Sequence, residues 1–294
     1  MAINIKIPII NTVMIYKKVD FGELNMSEPK ISVIMGIYNC EDTLAEAIDS
    51  IIAQTYKNWN IVMCDDCSTD GTYNVAKQYV DVYPEKFILL KNDKNMGLNY
   101  TLNHCLRYAD GDYIARMDGD DISYPDRFEK EMDFLLKNPE YSIVSTQMEY
   151  FDNEGVFGKS SNSGEPSQES LVRGTPFCHA TCIVKKDAYN SVDGYSVSDK
   201  LLRVEDYHLW VKMYAKGYKG YNLPQVLYSM RDDRNAIKRR KFRYRINEAR
   251  VVVYAINSLK LSKKYLIFAM KPIIVGLLPE FVYTMLHKKR LKGN

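Results

Sequence analysis

The 294-residue sequence has no uninterrupted apolar run of the ~20 residues that a membrane-spanning helix needs, no internal repeat and no low-complexity tract. Ile7 to Ile15 is apolar but is broken by Pro8 and Asn11, which makes it too short for a signal peptide. Cysteine is sparse too, with Cys40, Cys64, Cys67, Cys105, Cys178 and Cys182 spread along the chain. That is not the dense framework that staples a small secreted domain, and it suits a reduced compartment. Cys64 and Cys67, or Cys178, His179 and Cys182, can be drawn as zinc ligands. Cys64 ends an apolar strand-like run, however, and the intervening Asp65 and Asp66 have another use, so buried or incidental thiols are expected. With 46% hydrophobic residues, disorder throughout is excluded, and the length suits one large domain or one domain plus an appendage.

A net charge of +3 hides an asymmetry. Residues 231–294 hold 17 Lys and Arg against 4 Asp and Glu, a surplus of 13, so residues 1–230 carry a net −10. An acidic body and a basic tail predict different partners for the two parts. Residues 1–28 are read as a poorly ordered extension, with Met26 close to where a compact domain naturally begins.

From there, strand-length apolar runs alternate with helix-period segments. "ISVIMGIY" (31–38) precedes a helix over 41–54, and "WNIVMC" (59–64) one over 70–80. "KFILLK" (86–91) precedes a helix over 97–109, and "DYIARM" (112–117) runs into an acidic cluster. This alternation predicts an α/β domain with a mostly parallel sheet, in which ligands bind at the carboxyl ends of the strands. Further strands are predicted over 141–151 and 180–186, a polar loop over 160–168, and a helix over 205–217.

The unusual residues fall at those strand ends. "ARMDGDDISYPDR" (115–127) sets Asp118, Asp120 and Asp121 within four positions, where repulsion is unavoidable unless a cation joins them. Asp118-Gly119-Asp120 at a strand end can present two carboxylates to one hard divalent cation, with phosphate oxygens and water completing its shell. The plain alternative is a solvated Asp/Gly turn. Because a strand precedes the cluster and a helix starts at Asp126-Arg127, fixed elements hold it, which favours the metal. In "CDDCSTDGT" (64–72), Asp65 and Asp66 are turn residues or partners for a nucleobase imide and ribose, with Tyr38 stacking on the base beside Asn39. "NDKNMGLNYTLN" (92–103) places Asn95 and Gly97 ahead of a helix, where backbone can approach a diphosphate. Glu205-Asp206 opens a helix, which suits the macrodipole alone, or supplies a general base for an acceptor hydroxyl. His179 is a structural histidine or touches the acceptor.

Taken in order, "ISVIMGIYN", "CDDCSTDGT", "NMGLNYTLN", "YIARMDGDD", "PFCHATCIVKK" and "RVEDYHLW" resemble the family 2 glycosyltransferases of the GT-A fold, nearest to non-processive bacterial exopolysaccharide, capsule and cell-wall glycan enzymes. The resemblance spans about residues 29–235. It implies an inverting, metal-dependent hexosyl- or N-acetylhexosaminyl-transferase that uses a nucleotide-diphospho-sugar, commonly UDP-linked, with Mn2+ or Mg2+. Position by position, it makes Tyr38 and Asp66 the uracil contacts with Asp65 beside them. Asp118 becomes the ribose or metal-side acid, Asp120 the direct metal ligand, and Asp206 the base with Glu205 as its neighbour. Cys67 departs from the family, where Gly, Ala or Asn is common. Processive members carry Q-x-x-R-W and several membrane spans, both absent here, so one sugar per encounter to a glycan or lipid-linked acceptor is expected. A non-catalytic sugar-nucleotide-binding or interaction protein on the same fold is the rival reading. Sugar nucleotidyltransfer would want a Gly- and Lys-rich phosphate loop near residue 37, which "GIYNCED" lacks.

Residues 236–294 read as a basic, amphipathic helical tail. "YLIFAMKPIIVGLLPEFVYTML" (265–286) is apolar but broken by Lys271, Pro272, Pro279 and Glu280, with basic clusters at 239–245, 260–264 and 288–292. Two uses stay open: an interfacial anchor on anionic lipid, or helices packed on the catalytic domain. The expected place is the cytoplasmic face of the plasma membrane. Nucleic acid is not an expected partner.

Overall fold

The computed structural model describes residues 28–232 and 241–279 together with Val282. Residues 1–27 lie outside the described residues, as do Arg239 and Arg240 of the first basic cluster and the whole cluster at 288–292.

The strand-helix alternation folds as its periodicities require. β1 (Ile31–Ile37) and β2 (Trp59–Asp65) are buried nearly throughout, so they read as continuous apolar runs, as central parallel strands covered on both faces do. α1 (Leu44–Ile52) follows β1 and buries Leu44, Ala47, Ile48, Ile51 and Ile52, one stripe at helical spacing. α2 (Thr72–Val82), β3 (Phe87–Lys91), α3 (Leu98–Tyr108) and β4 (Tyr113–Arg116) complete the first half. β3, β2, β1 and β4 lie side by side, all parallel.

Direction reverses at β4. There it pairs antiparallel with β8 (Ile183–Lys185), which pairs antiparallel with β6 (Ile143–Asp152). β6 runs parallel to β9 (Gly220–Arg231), and β9 carries the short β5 (Ile122–Ser123) at its end, while β7 (Gly155–Lys159) forms a hairpin with β6. The result is a mixed, mostly parallel nine-stranded sheet flanked by helices. α1, α2 and α4 (Arg127–Lys137) pack on one face through Ile48, Ala76 and Phe128. α3, α5 (Lys186–Ser191) and α6 (Glu205–Ala215) pack on the other through Leu102, Ala188 and Trp210. The strand expected over 180–186 is shorter, because a single 3-10 turn takes His179–Thr181 and α5 starts at Lys186.

The C-terminal extension is α7 (Phe242–Ser258) and α8 (Ile267–Leu277). Val251, Val252, Ala255 and Ile256 of α7 join the core beneath α6, and Phe268 and Ala269 of α8 pack against it. Leu266, Ile267, Met270, Ile274 and Leu277 stay exposed, Ile267 and Leu277 by 68% and 71%. Phe268 therefore faces protein and parts from its apolar neighbours in the sequence. No helix of the described residues is long and apolar enough to cross a membrane.

Candidate active site

The ends of β1 to β3 build one wall of a crevice. Tyr38 leaves β1 with 47% of its surface exposed and no ring contact among the described residues, a placement that lets it stack on a flat ligand. Asn39, at φ 48°, accepts from the Thr69 N–H at 2.8 Å and donates its own N–H to Ser68 Oγ at 3.1 Å, tying β1 to the loop after β2. Asp65 is fully buried and accepts from the Ser68 N–H at 3.3 Å. Asp66 organises the next loop: Oδ1 accepts from Asn92 Nδ2 and the Met96 N–H, and Oδ2 from the Gly97 N–H, each at 2.8 Å. A carboxylate has about four acceptor sites, so one remains on Oδ2. Gly97 is required by its backbone, φ 84° with open space around it. Its N–H serves Asp66 and is not free for a diphosphate, and Asn95 lies exposed in the same loop. Cys67 sits at φ 62°, the left-handed region that favours glycine, which gives the departure from the family a physical meaning.

The acidic cluster is divided among three environments. Asp118 accepts from Arg116 Nη2 at 2.7 Å. Asp121 turns inward, taking the Tyr228 hydroxyl at 2.9 Å and the Arg231 N–H at 2.8 Å, and burial together with the charges of Asp118 and Asp120 raises its pKa well above the usual range. Asp120 remains exposed at the rim, where desolvation by the crevice and then Asp118 raise its pKa. Arg231 closes the turn by donating from Nε to the Asp120 carbonyl at 3.0 Å. Gly119 is needed for close approach, because a Cβ there would meet Cys40 Sγ at 2.8 Å. Part of the cation that the cluster demands is thus protein: Arg116 and Arg231.

Asp206 enters from the first turn of α6. Asp206, Glu205, Arg116, Asp118 and His179 line one cavity of about 530 Å³. Desolvation, then the charge of Glu205, push the Asp206 pKa up to about 6, against the lowering by the Tyr207 N–H and Arg116. That value suits a group taking a proton near neutrality. His179 is buried, its Nε2 3.0 Å from the Tyr195 hydroxyl and its ring edge-on to Trp210. Burial and Arg116 hold its pKa well below the usual range, so it is neutral.

The site thus gathers Asp118, Asp206, Glu205 and His179 around one cavity, and keeps Tyr38, Asn39, Asp65, Asp66 and Gly97 on the neighbouring strand ends. Arg116 was not singled out by sequence. Its signal was there: an arginine inside the apolar run "YIARM", two residues before Asp118 and hence on the same strand face.

Among the described residues no three His, Cys, Asp or Glu side chains converge as a metal-holding group. Asp118 and Asp120 alone fit only a hard cation that takes the rest of its shell from phosphate and water, as Mg2+ or Mn2+ does with nucleotides. The six cysteines form no disulfide, and Cys64 and Cys182 are buried.

Residues 32–192 match the family described as Glycosyl transferase family 2. The chain is 47% identical over 268 residues to the EpsE protein of Bacillus subtilis (strain 168), covering 91% of this chain and 96% of that one. It is 31% identical over 280 residues to the UDP-Gal:alpha-D-GlcNAc-diphosphoundecaprenol beta-1,3-galactosyltransferase of Escherichia coli, covering 90% and 97%. Among solved structures, S. aureus TarS 1-349 in complex with UDP superposes with a TM-score of 0.62 at 19% identity, covering 90% of this chain and 75% of that one; the chain spans 43% of the longer TarS chain. The parallel strands β1 to β4 and the acidic turn at the end of β4 thus lie within a match over more than half of the sequence, and the chain belongs to the family 2 glycosyltransferases.

Proposed function

We propose that the chain is an inverting transferase that moves one sugar from a UDP-linked donor to a hydroxyl of a glycan or lipid-linked acceptor in surface-polysaccharide synthesis. Residues 29–235 form the catalytic unit and 236–294 the tail. The observation that carries this reading is Asp206, pushed up to about 6 and facing the same cavity as Asp118 and Arg116. The E. coli relative named for a UDP-sugar and a diphosphoundecaprenol acceptor, and the UDP bound to TarS, support the two substrate classes.

In this reading the uracil stacks on Tyr38, and the remaining acceptor site of Asp66 takes its imide N–H, with Asp65 and Asn39 holding the surrounding loop. Asp118 and Asp120 hold Mn2+ or Mg2+, which when bound supplies positive charge to the leaving diphosphate. Asp206 takes the proton from the acceptor hydroxyl as that oxygen attacks C1 of the sugar from the face opposite the leaving group. Glu205 keeps Asp206 basic through its neighbouring charge. Arg116 holds Asp118 in place and, with neutral His179, shapes the sugar pocket. These groups act on charge that develops in the transition state, where stabilisation raises the rate.

The exposed row Leu266, Ile267, Met270, Ile274 and Leu277, flanked by Lys263, Lys264 and Lys271, supports peripheral contact with an anionic membrane at its cytoplasmic face. The test is a donor-hydrolysis screen across nucleotide sugars with Mn2+, followed by transfer to a diphosphate-linked N-acetylglucosamine. Hydrolysis of UDP-sugars above the other nucleotides supports the reading. Failure to bind or hydrolyse any nucleotide sugar overturns it.

A further inference from the structure

Asp206 lines a second cavity besides the one it shares with Asp118. This one, about 450 Å³, is bounded by Arg203 and Val204 ahead of α6 and by Lys241, Tyr244 and Arg245 at the start of α7. Its lining holds three basic and three acidic side chains, but these do not all pair with one another. Of its carboxylates, Glu248 is held by Arg245 at 2.8 Å, Asp232 has a partner of its own, and Asp206 is the proposed base. The side chains of Arg203 and Lys241, by contrast, make no ion pair or hydrogen bond among the described residues. Two cations that face a concave space and bond none of its carboxylates can take an anion from outside. Arg203 is held at φ 69°, a conformation a long side chain rarely adopts, which fits a functional constraint on where it points.

Two further observations give the anion its identity. Arg245 and Glu248 also line a third cavity of about 680 Å³, which continues past Arg173 and Lys271 to Pro272 and Val275 of α8. α8 is the helix whose Leu266, Ile267, Met270, Ile274 and Leu277 row is exposed. From the proposed base outward, the lining therefore runs from Asp206 past Arg203, Lys241 and Arg245 to Pro272 and Val275 of α8, a helix that also carries an exposed apolar row. That order matches a sugar carried on a diphosphate carried on a prenyl chain.

We infer that Arg203 and Lys241, with Arg245 beside them, bind the diphosphate of a prenyl-diphosphate-linked acceptor. This rests on the transferase reading, since Asp206 marks the acceptor hydroxyl only if it is the base. The site positions the acceptor and takes no part in bond making.

The test uses the full-length protein saturated with UDP and Mn2+, so that the donor's own diphosphate site is filled. Farnesyl diphosphate and farnesol are the probes. Wild type should bind farnesyl diphosphate at least about tenfold more tightly than farnesol, as charge-assisted bonds to two cations allow. In the Arg203→Gln, Lys241→Gln double variant that preference should fall below about threefold, with UDP affinity unchanged. A control that removes two exposed lysines elsewhere, Lys77→Gln with Lys137→Gln, should keep it. The inference is overturned if wild type shows no preference, if the double variant retains it, or if the control loses it equally. A wild type that binds no UDP overturns the donor reading instead, and the two prenyl probes then still report on this cavity in protein without nucleotide.

Discussion

Arg116 Nη2 lies 2.7 Å from the Asp118 carboxylate, in the cavity that Asp206 also lines. At 8% exposure the guanidinium is a nearly buried positive charge, and it lowers the Asp206 pKa from what desolvation and Glu205 alone would set. A base must be unprotonated, so kcat/KM for wild type should fall as pH drops through about 6. Arg116→Met removes a charge that favours the carboxylate form, so the acid limb should move to higher pH, by roughly one unit. A pH–rate profile checks both, and an unmoved limb in the variant detaches Arg116 from the base.

Asp206→Asn keeps the shape of the first turn of α6 but cannot accept a proton. Transfer should fall by ~10² or more, the scale of a lost general base, while UDP affinity stays at the wild-type value. Transfer at the wild-type rate would move the role to Glu205, whose Oε2 is buried without a hydrogen bond among the described residues.

Asp120→Ala removes one of the two carboxylates available to a divalent cation. UDP affinity measured by calorimetry should lose its dependence on Mn2+, and because the side chain is exposed at the rim the thermal midpoint should hardly change. Undiminished Mn2+ dependence would take Asp120 out of the metal site.

Asp66→Ala should be costly to the fold as well as to binding. Asn92 and the Met96 and Gly97 N–H groups would lose their acceptor together. At about 1–3 kcal/mol for an orphaned buried donor, and with the loop partly open to water, a loss of about 2–4 kcal/mol in denaturant unfolding is expected. Hydrogen exchange at 96 and 97 should quicken. Unchanged exchange would mean that the loop is held by other contacts.

Ile267→Asp with Ile274→Asp should release the full-length chain from phosphatidylglycerol liposomes in flotation while leaving its thermal midpoint intact, since both side chains are exposed. About 0.5 M salt should release wild type only in part, because screening weakens the lysine contribution and not apolar burial. A wild type that never floats removes the membrane from the proposal.

The strand ends that carry the residues proposed for the donor were legible because they follow runs that announce themselves. "ISVIMGI" and "WNIVMCD" are unbroken apolar strands, and Tyr38, Asp65 and Asp66 lie at or just beyond their ends. β9 was not, since "GYNLPQVLYSMR" carries Pro224 and mixed polarity, and its pairing with β6 depends on contacts some 77 residues apart. The same distance problem hid the second cavity, where Arg203 meets Lys241 and Arg245 only through the packing of α7 beneath α6. The tail posed a choice between lipid and protein. The helix divides the apolar residues between the two, with Phe268 packed toward the core and Ile267 and Ile274 exposed.

The reversal of strand direction between β4 and β8 divides the walls of the crevice between two stretches of chain. Residues assigned to the nucleotide run from Tyr38 to Asp120. The 530 Å³ cavity beyond them is walled by Met148 to Asp232, apart from Leu98, Leu102, Arg116 and Asp118. Each half is largely a contiguous stretch, and the two meet at the β4–β8 seam, three residue pairs long, at the β5–β9 pairing, and through the bonds of Asp121 to Tyr228 and of Arg231 to the Asp120 carbonyl. Substitutions that retune the proposed acceptor wall therefore need not touch the strand ends proposed for the nucleotide. A chimaera joined between Asp126 and Ser142 has to re-match the β5–β9 pair and the Asp121–Tyr228 bond as well as α4.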